Sequence, residues 1–173
     1  MLPMFGRSRL RVSRTLGEKG YRIAFSIISL IGLVLIVWGF ARAPFEAVYT
    51  PFSWARPLAV AVLPVAFILL AAAHMPTHLR STLKHPMLIG VLLWAILHLL
   101  NNGDLRSILL FGSFAVWAAA DMLSEIRRGR TLTGDEPPRW SMDLAAVAGG
   151  LVVFGLVLLF HGTLFGVPAL PLS

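Results

Sequence analysis

Five long apolar segments, separated by short polar stretches, follow one another along the chain. A helix needs roughly 20 apolar residues, within a range near 17–25, to cross a bilayer. The pattern therefore predicts an all-α fold: a polytopic membrane helical bundle with about five transmembrane helices. Segments one to five cover residues 23–40, 57–73, 86–100, 105–120 and 144–165.

One polar stretch is long enough to separate two parts of the chain. It contains Gly134-Asp135-Glu136-Pro137-Pro138, a composition typical of a flexible connection. We therefore expect a four-segment membrane domain over residues 1–130 and a cytoplasmic linker over residues 131–143. Residues 144–173 then form a final transmembrane helix with a short outer tail.

Segments three and four are shorter than a typical span, because a helix of 15 residues is only about 22 Å long. We interpret them as a hairpin that crosses the membrane with help from interfacial side chains or local thinning of the bilayer. A recessed pair that does not cross fully is the alternative.

Composition supports a membrane protein. Hydrophobic residues make up 57% of the chain, charged residues 13%, and the mean hydropathy is +0.80. Soluble domains typically carry about 25% charged residues. The chain has no cysteine, which excludes disulfides, thiolate metal sites and cysteine nucleophiles. No basic face with interleaved aromatic residues is present, so we do not expect binding to nucleic acid.

The basic residues predict an orientation. Twelve of them fall on one side of the predicted spans and three, Arg42, Arg56 and Arg106, on the other. By the positive-inside rule, the N-terminus is cytoplasmic and the C-terminus lies outside. The twelve are Arg7, Arg9, Arg11, Arg14, Lys19, Arg22, Arg80, Lys84, Arg127, Arg128, Arg130 and Arg139.

Local chemistry agrees with these boundaries. Pro57 and Pro86 stand at helix starts, where a missing N–H costs nothing. Asn102-Gly103 is expected to supply a positive-φ turn between segments three and four. Asp104 follows this turn and is expected to cap segment four, with orientation of the His98 ring as the alternative.

Small residues recur at four-residue spacing in segment five, as Ala145/Gly149 and Ala146/Gly150. Such pairs allow helices to approach closely. We interpret them as packing surfaces inside one bundle, with homodimerisation as the alternative.

Histidine is the candidate for ligand chemistry within the membrane. His98 lies near the outer end of segment three, and His161 lies at a comparable depth if segment five is tilted or starts later. Two neutral imidazoles from facing helices can hold haem iron axially. Alternatively, each ring bonds to a neighbouring helix or to interfacial water. Trp94, one turn below His98, either flanks a planar cofactor or packs in the core.

The other histidines fall on the predicted cytoplasmic side. His74 and His78 are four residues apart, but Pro76 between them disfavours a continuous helix, so a solvated loop is preferred over a metal pair. His85 precedes Pro86 and is expected to cap the helix end or to touch lipid headgroups.

The central part of the chain resembles the NnrU family of bacterial membrane proteins, which is named for a role in nitrite and nitric oxide metabolism during denitrification. The resemblance covers roughly residues 16–121. It rests on Leu83-Lys84-His85-Pro86-Met87-Leu88, Trp94-Ala95, His98-Leu99, Asn102-Gly103-Asp104-Leu105 and Leu109-Leu110-Phe111-Gly112-Ser113, with Leu16-Gly17-Glu18-Lys19-Gly20-Tyr21-Arg22 and Val37-Trp38-Gly39-Phe40 upstream.

This family is similar to the plastid 15-cis-zeta-carotene isomerase, a membrane enzyme with haem b. The resemblance implies a haem b site in which His98 matches one proposed axial ligand. It places the other ligand in a first apolar helix with a His-Ser pair, which has no counterpart between Met1 and the basic stretch. We expect either a start upstream of Met1, which would add a sixth span, or a member that does not bind haem in the family manner. His161 is the candidate substitute.

Three functions follow. The first is a haem b-binding accessory or redox-sensing factor for nitrite and nitric oxide metabolism, in the bacterial cytoplasmic membrane. The second is a haem-dependent cis-trans isomerase of a polyene such as a carotenoid. The third is a cofactor-free assembly subunit of a respiratory or photosynthetic membrane complex. No hydrolase or kinase motif is present, and the sequence predicts the lipid bilayer as the immediate partner.

Overall fold

A computed structural model describes residues 6–129, 136–167 and 169. In these ranges the chain forms helices and no β-strand, which confirms the all-α membrane fold. The helices are α1 (Gly6–Arg42), α2 (Ala55–Ala72), α3 (His78–Leu83), α4 (Pro86–Asn101), α5 (Leu105–Arg127) and α6 (Trp140–Phe165).

Four helices are long and apolar enough to cross a membrane: the part of α1 after Gly17, α2, α5 and α6. Helix α4, with 16 residues, is a shorter apolar helix. The prediction that both helices of the hairpin are short is therefore wrong for α5, which has 23 residues. Its polar last turn stays helical, where Arg128 approaches Glu125 at 3.9 Å.

We name the two ends of the bundle after the orientation that the basic residues predict. The outer end carries the turn between α4 and α5. The cytoplasmic end carries α3 and the start of α6. The part of the sequence linker at residues 131–135 lies outside the described residues.

Helices α6, α2, α4 and α5 pack side by side in that order. Helix α2 contacts both α4 and α6, and a glycine of each neighbour lies against its backbone. At the α4 contact, a Cβ on Gly90 would lie 3.0 Å from the carbonyl oxygen of Ala66. The row is therefore held by close backbone approach, as is common between membrane helices.

The two small-residue pairs of α6 differ in their surroundings. Ala146 is fully buried, and a Cβ on Gly150 would lie 2.6 Å from the Cα of Ile68 on α2. A Cβ on Gly149 would meet nothing within 4 Å. The Ala146/Gly150 pair thus packs inside the bundle, while homodimerisation stays a prediction for the other pair.

Helix α1 stands apart from this row. It bends at Gly17, whose φ of 70° and ψ of 164° are accessible to glycine at little cost. In the apolar window of α1, none of the residues is buried in the protein. Its contact with the bundle is at α5, where Arg106 donates to the carbonyls of Phe40 and Ala43 at 3.4 and 3.2 Å.

At the cytoplasmic end, a helix begins at His78, where a loop was predicted. Pro76 does separate α2 from the next helix, as expected, but α3 begins at His78. The hydroxyl of Thr77 caps α3 by accepting from the backbone N–H of Arg80 at 3.0 Å. Lys84 ends the helix with a φ of 63°, a conformation that side-chain-bearing residues adopt rarely.

The outer turn contradicts the positive-φ prediction for Gly103, since the positive-φ glycines among the described residues are Gly17, Gly129 and Gly166. Glycine is needed at 103 for space instead. A Cβ there would lie 1.8 Å from the carbonyl oxygen of Tyr49, in the loop between α1 and α2. That loop lies against the turn, and the Gly103 carbonyl accepts from the N–H groups of Val48 and Tyr49.

Candidate functional site at the outer end

Asp104 caps α5, as predicted. Its carboxylate accepts from the backbone N–H of Ser107 at 3.1 Å and from Nε of Arg106 at 3.3 Å. Asp104 is buried, and these two donors offset the cost of removing its charge from water. The alternative role of orienting His98 has no support from these contacts.

The last turn of α4 is held by side-chain amides. Nδ2 of Asn101 donates to the carbonyls of Leu97 and Ala55, at 2.8 and 3.1 Å. Nδ2 of Asn102 donates to the carbonyl of His98 at 2.8 Å. The final four carbonyls of a helix lack intrahelical partners, so the amide of Asn102 satisfies the His98 carbonyl, and the amide of Asn101 ties the last turn of α4 to α2. They also fix the turn of α4 that carries His98.

Tyr49 also bonds to the outer end of α4. Its hydroxyl donates to the Leu99 carbonyl, and the Asn102 carbonyl lies 3.0 Å away. Burial raises the pKa of the Tyr49 phenol, and the Asp104 carboxylate raises it further. The phenol is therefore kept in its protonated, donating form. We call Tyr49, Asn102, Gly103, Asp104 and Arg106 the outer clasp.

The His98 ring is bonded to its own helix. Its Nδ1 lies 2.8 Å from the Trp94 carbonyl, and a carbonyl can only accept, so Nδ1 carries the proton. In the neutral ring Nε2 then holds a lone pair that can bind a metal. The ring packs at 5.0 Å from the Trp94 ring and at 4.5 Å from the Phe111 ring of α5.

His161 repeats this arrangement on α6. Its Nδ1 lies 2.6 Å from the carbonyl of Val167, just beyond the end of the helix at Gly166. The Phe165 ring is 4.9 Å away. Here too the backbone carbonyl fixes the proton on Nδ1, and Nε2 of the neutral ring is left as a potential ligand.

Helix α2 packs against both α4 and α6, so it gives a common reference for the depth of the His98 and His161 rings. Asn101 lies opposite Ala55, and Gly150 lies opposite Ile68. With both neighbours antiparallel to α2, these pairings place His98 and His161 at about the same level, near the first turn of α2. The first residues of α4 and α6 were a poor reference for the depth of the histidines, because α6 begins closer to the cytoplasmic side than α4 does.

Among the described residues, no three or more His, Cys, Asp or Glu side chains form a group that could hold a metal ion. A bare ion needs about four ligands or more. Two imidazoles suit an iron that brings its own in-plane ligands, as haem does.

Sequence reasoning missed the role of His78. Its Nδ1 lies 2.5 Å from Oδ2 of Asp143 on α6, and its backbone N–H donates to Oδ1 at 2.9 Å. The ring also stacks on Trp140 at 4.2 Å. The signal in the sequence was an acidic residue in the first turn of an otherwise apolar helix. His74 is exposed, so the alternative of a His74/His78 metal pair, which the sequence already disfavoured, has no support from these contacts.

His85 occupies the N-cap position of α4, but its side chain makes no capping bond. It is 4% exposed, and in the described part of the chain its Nδ1 has no hydrogen-bond partner. The expectation of a headgroup contact is therefore not supported, since the ring faces the protein interior.

These features define a multi-pass membrane helical bundle with a histidine pair near its outer end. The family model described as NnrU protein matches residues 1–169, and the chain therefore belongs to the NnrU family. The match extends well beyond the region of residues 16–121 in which the resemblance was found. No match was found among curated proteins or among solved structures.

Proposed function

We propose that this protein binds haem b between His98 and His161 and supports nitrite and nitric oxide metabolism as an accessory or redox-sensing factor. One observation carries the proposal. Two imidazoles on neighbouring sides of α2 lie at the same depth, and each has its Nδ1 bonded to a backbone carbonyl. Axial histidines are commonly held in this way, because the carbonyl fixes both the tautomer and the orientation of the ring.

The residues around His98 suit a flat, apolar cofactor. The Trp94 ring contacts the rings of His98, Phe111 and Phe114 at 5.0, 5.1 and 5.6 Å. These aromatic side chains would exclude water from one edge of the site. When bound, haem b supplies a one-electron redox couple, and the supporting residues tune its potential.

Arg56 is suited to the acidic groups of the cofactor. It is exposed near the start of α2, at the level of the two histidines. It shares a helical stripe with Phe67, eleven residues further on, whose ring contacts Phe154 of α6 at 5.8 Å. Arg56 therefore lies on the side of α2 that is turned toward α6 and His161. A guanidinium there would bind a propionate of the haem through charge-assisted hydrogen bonds.

The test of haem binding is a pyridine haemochrome spectrum. The full chain is purified in detergent from haem-replete cells as wild type, His98→Ala and His161→Ala, with His74→Ala as the control. We expect a Soret band in wild type and His74→Ala, and loss of most bound haem in the other two. Absence of the band from wild type contradicts the proposal.

A chain extended upstream of Met1 separates two ligand sets. If the extended chain binds haem and His161→Ala does not reduce that binding, the second ligand is not His161. If both lengths bind haem and depend on His161, the proposed pair is supported.

The physiological part is tested in a deletion strain. We expect slower turnover of nitrite or nitric oxide, restored by the wild-type protein and not by His98→Ala. Normal turnover together with an altered pattern of polyene isomers would instead favour the isomerase function.

A further inference from the structure

A second candidate site lies at the cytoplasmic end, about five turns of α6 from His161, in a groove between α3 and α6. Its volume is about 300 Å³. We propose that this groove binds one anionic phospholipid of the cytoplasmic leaflet. The groove is lined by His78, Leu79, Thr82, Leu83, Trp140 and Asp143.

Three contacts hold the groove open at a fixed width. Asp143 binds His78 through both of its oxygens, at 2.5 and 2.9 Å. The His78 ring stacks on Trp140. The backbone N–H of Arg139 donates to the carbonyl of Pro76 at 3.0 Å. Because these bonds join α3 to the start of α6, the groove is part of the folded structure.

The walls of the groove are apolar. Leu79 and Leu83 stand on one face of α3, four residues apart, and Trp140 forms the opposite wall. Trp140 is 78% exposed and Leu83 is 37% exposed, which would be costly in water. Tryptophan at a helix start is typical of the membrane interface. The upper part of an acyl chain is the occupant that this surface fits.

The rim of the groove favours a negative headgroup. Of the acidic side chains that the structure describes beside the groove, Asp143 is bonded to His78 and Glu136 to Arg139. Arg80 of α3 and Lys84, which follows the last residue of α3, adjoin the groove residues Leu79 and Leu83 in the chain and add positive charge near the rim.

The position in the fold selects a lipid over a soluble anion. Helix α3 joins the cytoplasmic ends of two apolar helices, so the groove lies where headgroups meet acyl chains. Basic pockets between helices on this side of a membrane bind anionic headgroups. A soluble phosphate would use the rim and leave the apolar walls uncovered.

Native mass spectrometry of the detergent-purified full chain tests the proposal, with dioleoyl phosphatidylglycerol and dioleoyl phosphatidylcholine as probes. We expect one phosphatidylglycerol to bind wild type more tightly than phosphatidylcholine. Lys84→Gln should raise the dissociation constant for phosphatidylglycerol about five-fold, the effect of one basic contact at a membrane surface, and leave that for phosphatidylcholine unchanged. Trp140→Ala should weaken both.

Arg127→Gln is the matched control, because Arg127 is an exposed cation at the cytoplasmic end of α5, outside the groove. It should bind both lipids as wild type does. Circular dichroism checks that each variant keeps its helices. Equal affinity of wild type for the two lipids overturns the proposal, as does an equal effect of Arg127→Gln and Lys84→Gln. Binding of free inorganic phosphate in place of the lipid also overturns it.

Discussion

His98 and His78 lie at opposite ends of the same bundle, and their Nδ1 atoms have different partners. At the outer end, Nδ1 of His98 donates to the Trp94 carbonyl, an uncharged acceptor. At the cytoplasmic end, Nδ1 of His78 faces the carboxylate of Asp143. Either acceptor fixes a proton on Nδ1, so that Nε2 of the neutral ring keeps a free lone pair, but only the carboxylate carries a charge.

One residue type therefore serves two purposes. His98 is bonded within its own helix, which orients the ring, whereas His78 is bonded to Asp143 of another helix and joins α3 to α6. The atom that accepts from Nδ1 distinguishes the two roles of histidine. The spacing of histidines along the chain does not reveal this atom. Substitutions at each end test the two histidine environments separately.

Gly103→Ala should damage the outer end most. The new Cβ would overlap the carbonyl of Tyr49, so the loop between α1 and α2 must move away from the turn. We expect a loss of about 3 kcal/mol in the free energy of unfolding, as for severe overpacking. Tryptophan fluorescence during denaturation in detergent measures it. Gly112→Ala, at a position with open space, is the control and should not destabilise the protein.

Asp143→Asn should damage the cytoplasmic end alone. The amide keeps the size of the side chain but removes the charge that pairs with His78. We expect a lower unfolding temperature and an unchanged haem content, measured on the same sample. Glu136→Gln removes an exposed carboxylate nearby and should have no effect on either. Loss of haem in Asp143→Asn would show that the two ends are not independent.

Tyr49→Phe should have a smaller effect at the outer end. It removes the donor to the Leu99 carbonyl and keeps the ring. The loss of one hydrogen bond predicts a decrease of about 1 kcal/mol in the free energy of unfolding. A shift in the haem spectrum without loss of haem would indicate that the outer clasp positions His98. A decrease as large as that of Gly103→Ala would contradict this ranking.

Alkaline pH should change the stability of the protein less than any of these substitutions does. The pKa of Tyr49 is raised in the folded state, so folding favours the neutral phenol. Its contribution is fully present below the unfolded pKa, about 10, and is lost as the pH rises through the folded pKa. The difference in unfolding temperature between wild type and Tyr49→Phe should therefore narrow above about pH 10. A constant difference up to pH 11 would contradict this account.

The features that could be predicted from the sequence depend on residues that are close together along the chain. The spans follow from apolar length, and the cap at Asp104 follows from a short polar side chain ahead of a helix. The short helix α3 was missed, because its six residues carry no apolar period long enough to detect. The polar end of α5 was cut short for a similar reason, since charge was taken to end the span.

Long-range contacts lay beyond such reasoning. The reason for glycine at 103 is a carbonyl 54 residues earlier, and His78 and Asp143 are 65 residues apart. The common depth of His98 and His161 required the packing register of α2 against both neighbours. The histidines themselves could be selected from the sequence, but their hydrogen-bond partners could not.

The attachment of α1 has a mechanical consequence. Arg106 holds the carbonyls of Phe40 and Ala43 near the outer end of α1, and the apolar window of α1 has no residue buried against the bundle. A helix fastened at one end can change its tilt without breaking packing contacts. We therefore expect the angle of α1 to follow the thickness of the surrounding lipid without disturbing the packing of α6, α2, α4 and α5.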